Sequence, residues 1–168
     1  NDRIGLVVYE GESYTACALT TDHDNLLKRL ENLESGKLEG GTAIGMGIAT
    51  GINRLRDSEA KSKVIILLTD GENNTGKIHP ITASGYDKEL GMRVYTVGIG
   101  TTGKVRMPGG FPFGNSFIDS KLDEKMLTEI AEITGGNYYR AKNIRQLQSI
   151  YEEIDKLEKS KINTIQYK

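Results

Sequence analysis

The sequence predicts an α/β fold: a doubly wound, mostly parallel sheet with one antiparallel edge strand and helices on both faces. Ile4 to Tyr9, Val64 to Leu68 and Met92 to Ile99 are short apolar runs rich in β-branched residues, the pattern of strands covered on both faces. Between them, apolar residues recur every three or four positions, as on an amphipathic helix. Strand and helix therefore alternate, which implies right-handed βαβ crossovers and a parallel sheet.

The elements follow in order. After the strand at 4–9, Glu10-Gly11-Glu12 reads as a hairpin turn and Ser13 to Thr20 as the antiparallel return. Thr21 is the expected cap of a helix over 22–34, striped by Leu26, Leu27, Leu30 and Leu33. Thr42 is expected to open a second helix carrying Ile44, Ile48, Ile52 and Leu55. Val64 to Leu68 ends at Thr69-Asp70-Gly71 and a polar loop. Then come a helix from about 79 to Gly91, the strand 92–99, a helix from about 123 to Gly135 and a short strand near 137–140. Ile144, Leu147, Ile150, Ile154 and Leu157 line a last helix. Ile162 to Lys168 alternates apolar and polar residues and reads as either a short strand or a tether. The folded domain is thus expected over 1–159, with 160–168 as a tail.

Composition narrows the function. The chain has 168 residues, the size of one domain. Lys and Arg total 22 against 23 Asp and Glu, so no summed positive field exists to hold a nucleic-acid backbone. The longest aliphatic run, Val64 to Leu68, is far short of the ~18 apolar residues of a membrane span. Cys17 is the only cysteine and there are two histidines, which excludes an internal disulfide and a Cys/His zinc framework. Any metal is expected to use oxygen ligands.

In an open parallel sheet, ligands bind beyond the carboxyl ends of the strands. Three polar loops converge there: 35–42, 70–77 and 100–119. The first brings the Thr42 hydroxyl to a helix start after Gly40 and Gly41, and the second puts the Asp70 carboxylate at a strand end. A hydroxyl and a carboxylate suit a small hard cation such as Mg²⁺ or Mn²⁺, although two residues do not complete its octahedron. Spacing alone favours Thr42 as a plain helix cap and Asp70 as a turn former.

Gly40-Gly41-Thr42-Ala43-Ile44-Gly45 and Ile65-Ile66-Leu67-Leu68-Thr69-Asp70-Gly71 resemble the second and third metal-site loops of von Willebrand factor A domains. The stretches LTTDHDNLL, GTAIGMGIATGINRL, SKVIILLTDGENN and EITGGNYYRA resemble the bacterial aerotolerance-operon (Bat-type) branch of that family. The resemblance implies a non-enzymatic protein-binding module whose metal-ion-dependent adhesion site holds Mg²⁺ or Mn²⁺ through Thr42 and Asp70. A partner's Asp or Glu would complete the coordination, with Gly41, Glu72, Asn73, Asn74 and the 101–119 loop as the rim. It further implies a bacterial inner-membrane protein with this domain facing the periplasm, working with related A-domain proteins and an AAA-type ATPase. The family's Asp-x-Ser-x-Ser loop does not occur in the sequence. The expectation is a domain incomplete at its N-terminus, lacking the family's first strand and helix. Strands 4–9 and 63–69 are then expected to flank a gap, pair directly, or be bridged by a segment of another chain.

Rival motifs are weaker. Gly98-Ile99-Gly100-Thr101-Thr102-Gly103-Lys104 has the spacing of a phosphate-binding loop, which gives the alternative of a nucleotide-binding α/β enzyme using Lys104 and Asp70. Against it, Val105 stands where Ser or Thr is needed, and Pro108-Gly109-Gly110 forbids the required helix. Gly98, Gly100 and Gly103 fail as a dinucleotide fingerprint for the same reason. Asp70, Glu72 and Asn74 begin like an EF-hand, but Thr75 and Ile81 occupy its glycine and glutamate positions. His23 and His79 read as surface residues at helix starts, and Cys17 as a small buried thiol. Phe111, Phe113 and Phe117 lie in a Gly/Pro-rich stretch and fit either core packing or a functional loop.

Overall fold

The computed structural model describes residues 2–34, 36–38, 40–100, 104–106, 117–119 and 122–166. Strand β1 (Ile4–Tyr9) and strand β2 (Ser13–Thr20) form the expected antiparallel hairpin, closed by a 2.8 Å bond from the Glu10 N–H to the Glu12 carbonyl. Helix α1 (His23–Glu31) follows. Its cap is Asp22 rather than Thr21: the Asp22 carboxylate accepts the Asn25 N–H at 3.0 Å, adding negative charge at the positive end of the helix. The leucine stripe is less buried than its spacing implies, with Leu27 54% and Leu30 50% exposed, because α1 rests on a hairpin of only two strands.

Helix α2 (Ile44–Leu55) leads to strand β3 (Val64–Thr69), helix α3 (Pro80–Glu89) and strand β4 (Arg93–Ile99). Pro80 occupies the first turn of α3, where its missing N–H costs nothing, and the His79 ring caps the Ile81 N–H at 3.3 Å. The short strands β5 (Lys104–Arg106) and β6 (Phe117–Asp119) pair antiparallel, a hairpin that the Gly/Pro-rich sequence does not announce. The rest of the 101–119 rim loop, with Phe111 and Phe113, lies outside the described residues. Helix α4 (Glu124–Thr134) starts at the Asp123 cap and stops at Gly135, whose φ of 76° is the left-handed conformation that ends a helix. Strand β7 (Tyr138–Ala141) and helix α5 (Ile144–Gln166) complete the chain.

β3, β4 and β7 form a parallel sheet in that order. One face packs Leu67 and Val94 against Ile44, Ile48 and Ile52 of α2, Ala83 of α3, and Leu127 and Ile130 of α4. The other packs Tyr95, Val97 and Ala141 against Ile150 and Ile154 of α5. Helices on both faces of a parallel sheet, with an antiparallel pair at the side, make the doubly wound α/β class read from the sequence. At ~1.5–3 kcal/mol for each large apolar side chain taken from water, these two layers supply most of the driving force.

Helix α5 runs farther than its apolar spacing marks. Residues 162–166 continue it, so the strand alternative for 162–168 is not realised there. A polar anchor that only the fold assembles holds α5 just before this stretch. Glu158 receives the Arg93 guanidinium through both carboxylate oxygens, the Ser62 hydroxyl at 2.8 Å and the Tyr95 hydroxyl. One turn on, Lys161 donates to the Gly135 carbonyl at 3.2 Å.

The β1–β2 pair and the β3–β4–β7 sheet are not joined by a ladder among the described residues. The Lys63 carbonyl accepts the Arg93 N–H at 3.1 Å, so odd-numbered residues of β3 address β4. The backbone groups of Val64, Ile66 and Leu68 then point the opposite way, towards β1. No ladder joins β1 to β3 among the described residues; the Tyr9 hydroxyl instead spans the space and donates to the Leu68 carbonyl at 2.7 Å. Of the arrangements open to these two strands, direct pairing is not found among the described residues.

Candidate functional site

Asp70 leaves the carboxyl end of β3 as the chain emerges from the core. Thr69, 6% exposed, shapes the exit: its hydroxyl lies 3.3 Å from the Gly71 N–H, which it accepts, and 3.2 Å from the Gly71 carbonyl. The side chain of Asp70 is thereby delivered to an exposed surface.

Thr42 is not the cap of α2. The helix begins at Ile44, after Ala43, which has no capping side chain. The cap comes from the opposite loop: Asn73 Oδ1 accepts the Ile44 N–H at 2.9 Å, and Asn74 Oδ1 accepts the Thr42 N–H at 2.8 Å. The Asn74 N–H returns a bond to the Thr42 carbonyl at 3.0 Å. With capping supplied from outside, the Thr42 hydroxyl is left for other work. It lies against the turn that carries Asp70, since a Cβ built on Gly71 would be 3.7 Å from Thr42 Oγ1. The two candidate ligands are thus brought onto neighbouring turns.

Two glycines make this approach possible. Gly41 sits at φ 121°, and a Cβ there would lie 2.7 Å from the Thr75 methyl. Gly45 lets α2 close on the 70–78 loop: a Cβ on it would be 1.9 Å from the Ile78 carbonyl oxygen.

Gly41 and Glu72 are exposed at this edge, whereas the acceptor oxygens of Asn73 and Asn74 are engaged with the backbone of the Thr42 segment. At the far side of the sheet end, Arg140 donates to the Gly100 carbonyl at 3.0 Å and pairs with Glu124, fixing the point where the 101–119 loop departs. Lys104 opens a strand rather than the helix that a phosphate-binding loop requires.

The sequence reading missed Tyr9 and Glu10. Tyr9 stacks its ring against Gly47 of α2 and holds its hydroxyl beside Thr69 and Asp70. Burial, with the charge of Asp70 adding to it and the Thr69 contact opposing, pushes this hydroxyl up to about 12, so it remains a donor at neutral pH. Glu10, in the hairpin turn, accepts two backbone N–H groups of the 36–38 segment. Neither role has a sequence signal, because both partners are far away in the chain.

A hydroxyl and a carboxylate on adjacent turns are hard oxygen donors and fit Mg²⁺ or Mn²⁺ as part of a ligand set. They are not a whole set. Among the described residues, no group of three or more His, Cys, Asp or Glu side chains is placed to hold a metal.

Comparison with known proteins agrees with this architecture. The von Willebrand factor type A domain model matches residues 1–153. The crystal structure of BatB, a conserved hypothetical protein from Bacteroides thetaiotaomicron, is 30% identical with a TM-score of 0.78, and the match covers 95% of this chain and 80% of that one. An aerotolerance-related membrane protein from Bacteroides fragilis is 27% identical with a TM-score of 0.76, over 93% of this chain and 80% of that one. An uncharacterized protein of Borreliella burgdorferi is 30% identical over 162 residues, covering 94% of this chain and 47% of the relative. The chain spans about half the length of the curated relatives it matches. No helix among the described residues is long and apolar enough to cross a membrane.

Proposed function

Because the chain belongs to the von Willebrand factor type A domain family, we propose that it is a protein-binding module, not an enzyme, and that it engages a carboxylate on its partner through a divalent cation. Asp70 supplies the negative charge that holds Mg²⁺ or Mn²⁺, and the Thr42 hydroxyl adds a neutral oxygen. The bound cation supplies a positive centre for an Asp or Glu side chain of the partner. Gly41, Glu72, Asn73 and Asn74 form the rim beside it, where contacts select the partner. The remaining ligands are assigned to the family's Asp-x-Ser-x-Ser loop, which these 168 residues do not contain.

The observation that carries this reading is the reciprocal bonding between Thr42 and Asn74. It fixes a hydroxyl-bearing loop against the Asp70 turn while leaving the hydroxyl out of helix capping. The domain proper is taken as 1–159, with 160–168 as its tail, of which 160–166 continue α5. Similarity to an aerotolerance-related membrane protein supports membrane association; display on the periplasmic side of a bacterial inner membrane is proposed by family resemblance. Related A-domain proteins and an AAA-type ATPase are the proposed associates, by family resemblance.

The test is a pull-down of partners from the source cell, with and without EDTA, using the longer protein that includes the family's Asp-x-Ser-x-Ser loop. Asp70→Ala should abolish divalent-dependent capture while leaving the fold intact, Thr42→Ala should weaken it less completely, and EDTA should mimic both. Capture indifferent to EDTA and to Asp70→Ala would rule out the cation bridge.

A further inference from the structure

We infer that Glu10 is the positioning residue for the Thr42 loop, holding that loop in register with Asp70 from the hairpin turn of the neighbouring sheet. The inference rests on the cation reading of Thr42 and Asp70 and adds the part that sets its geometry.

Glu10 touches the loop on both sides of Thr42. Upstream, its two carboxylate oxygens divide between two backbone donors, Oε1 accepting the Gly36 N–H at 2.8 Å and Oε2 the Leu38 N–H at 3.0 Å. Downstream, its main-chain carbonyl accepts the Ala43 N–H at 2.6 Å. A loop containing Gly36, Gly40 and Gly41 has unusual conformational freedom, and Gly36 and Gly41 both sit at positive φ, 81° and 121°. Such a loop holds one shape only if something outside it does the holding. Glu10 offers two charge-assisted acceptors for the purpose, and these bonds keep its carboxyl below the usual range.

Glu10 can act this way because its own position is fixed. Tyr9, immediately before it, is tied to the Leu68 carbonyl at the end of β3. Ser13, just after the turn, lies 3.0 Å from the Met46 carbonyl and 2.6 Å from the Thr50 hydroxyl, both on α2. The turn is clamped between the strand that presents Asp70 and the helix that follows Thr42. Glu10 passes that registration to the loop. Its carboxylate is partly buried at the surface, and its effect on the loop is read amide by amide beside any change in global stability.

The experiment compares wild type, Glu10→Gln and Glu10→Ala in the ¹⁵N-labelled chain by amide hydrogen exchange and by Mn²⁺-induced broadening of backbone signals. Glutamine keeps one acceptor oxygen and loses the other, so it should fall between. With each lost bond worth up to about tenfold, exchange at Gly36 and Leu38 should rise about tenfold in Glu10→Ala and about threefold in Glu10→Gln. The Mn²⁺ concentration that broadens Thr42 and Asp70 should rise in the same order and by similar factors, with Tm lowered by no more than about 5 °C. Unchanged exchange at Gly36 and Leu38, or a loosened loop with Mn²⁺ response unchanged, would overturn the inference. A wild-type chain blank to Mn²⁺ at Thr42 and Asp70, and equally blank as Asp70→Ala, would overturn it through the cation reading. That failure is recognisable because exchange would still respond to Glu10.

Discussion

Asn74 and Thr42 hold each other by a reciprocal pair of hydrogen bonds: the Thr42 N–H donates to the Asn74 side chain at 2.8 Å, and the Asn74 N–H donates to the Thr42 carbonyl at 3.0 Å. Residues 32 positions apart are thereby joined as closely as partners in a ladder. Asn74→Ala keeps the second bond and loses the first, which should cost ~1 kcal/mol of stability and reduce EDTA-sensitive partner capture. Asn74→Asp retains an acceptor oxygen and should recover most of both. Thermal melts and the pull-down read the two effects side by side.

Metal affinity of the 168-residue chain should be weak. Thr42 and Asp70 are its assigned ligands, and Mg²⁺ gives up its waters reluctantly. Titration calorimetry with MgCl₂ or MnCl₂ should show little heat. Tight binding would mean that further ligands lie within these residues.

Glycines should divide sharply on substitution by alanine. At Gly45 the new methyl would lie 1.9 Å from the Ile78 carbonyl oxygen, and at Gly136 2.0 Å from that of Val94. Both obstacles are backbone and cannot step aside. Either change should cost several kcal/mol, roughly the overpacking limit or more, or prevent folding. Gly85 lies inside α3 with nothing within 4 Å of a built Cβ, so Gly85→Ala should stabilise by ~0.5–1 kcal/mol. Urea unfolding of the variants checks the order.

Two carboxylates should bend the pH dependence of stability in opposite directions. Asp87 of α3 is fully buried, and neither carboxylate oxygen has a hydrogen-bond partner among the described residues; burial pushes it up to about 7 from 3.8. A carboxyl raised in the folded state favours folding while protonated, so stability should fall as pH rises from about 4 to about 7 and level off above. The full drop is on the order of 4 kcal/mol at 1.36 kcal/mol per unit. Asp87→Asn should flatten that slope in urea midpoints measured across the range.

Glu158 behaves in the reverse sense. Burial alone would raise it, but the bonds from Arg93, Tyr95 and Ser62 overcome that and hold it at about 2. Its stabilisation is complete above about 4.5 and should be lost as pH falls towards 2. Glu158→Gln should remove this acid limb and loosen α5, which circular dichroism at pH 2–5 would detect.

The local code determined much of this protein. Apolar runs marked β1, β3 and β4, three-to-four spacing marked the helices, and Pro80, Asp123 and Gly135 marked helix ends, because each depends on neighbours within a few residues. That Thr42 and Asp70 lie on one rim was legible too, since helix starts and the carboxyl ends of parallel strands meet at the same edge of the sheet. Tertiary structure alone decided what holds them there. Asn73 caps a helix that Thr42 was expected to cap, Tyr9 reaches across to β3, and Glu10 grips a loop 26 to 28 residues away. The same holds for the Glu158 anchor on α5. These contacts join backbone donors and acceptors far apart in the chain, and every N–H looks alike in a sequence; only the packed sheet selects which side chain meets which.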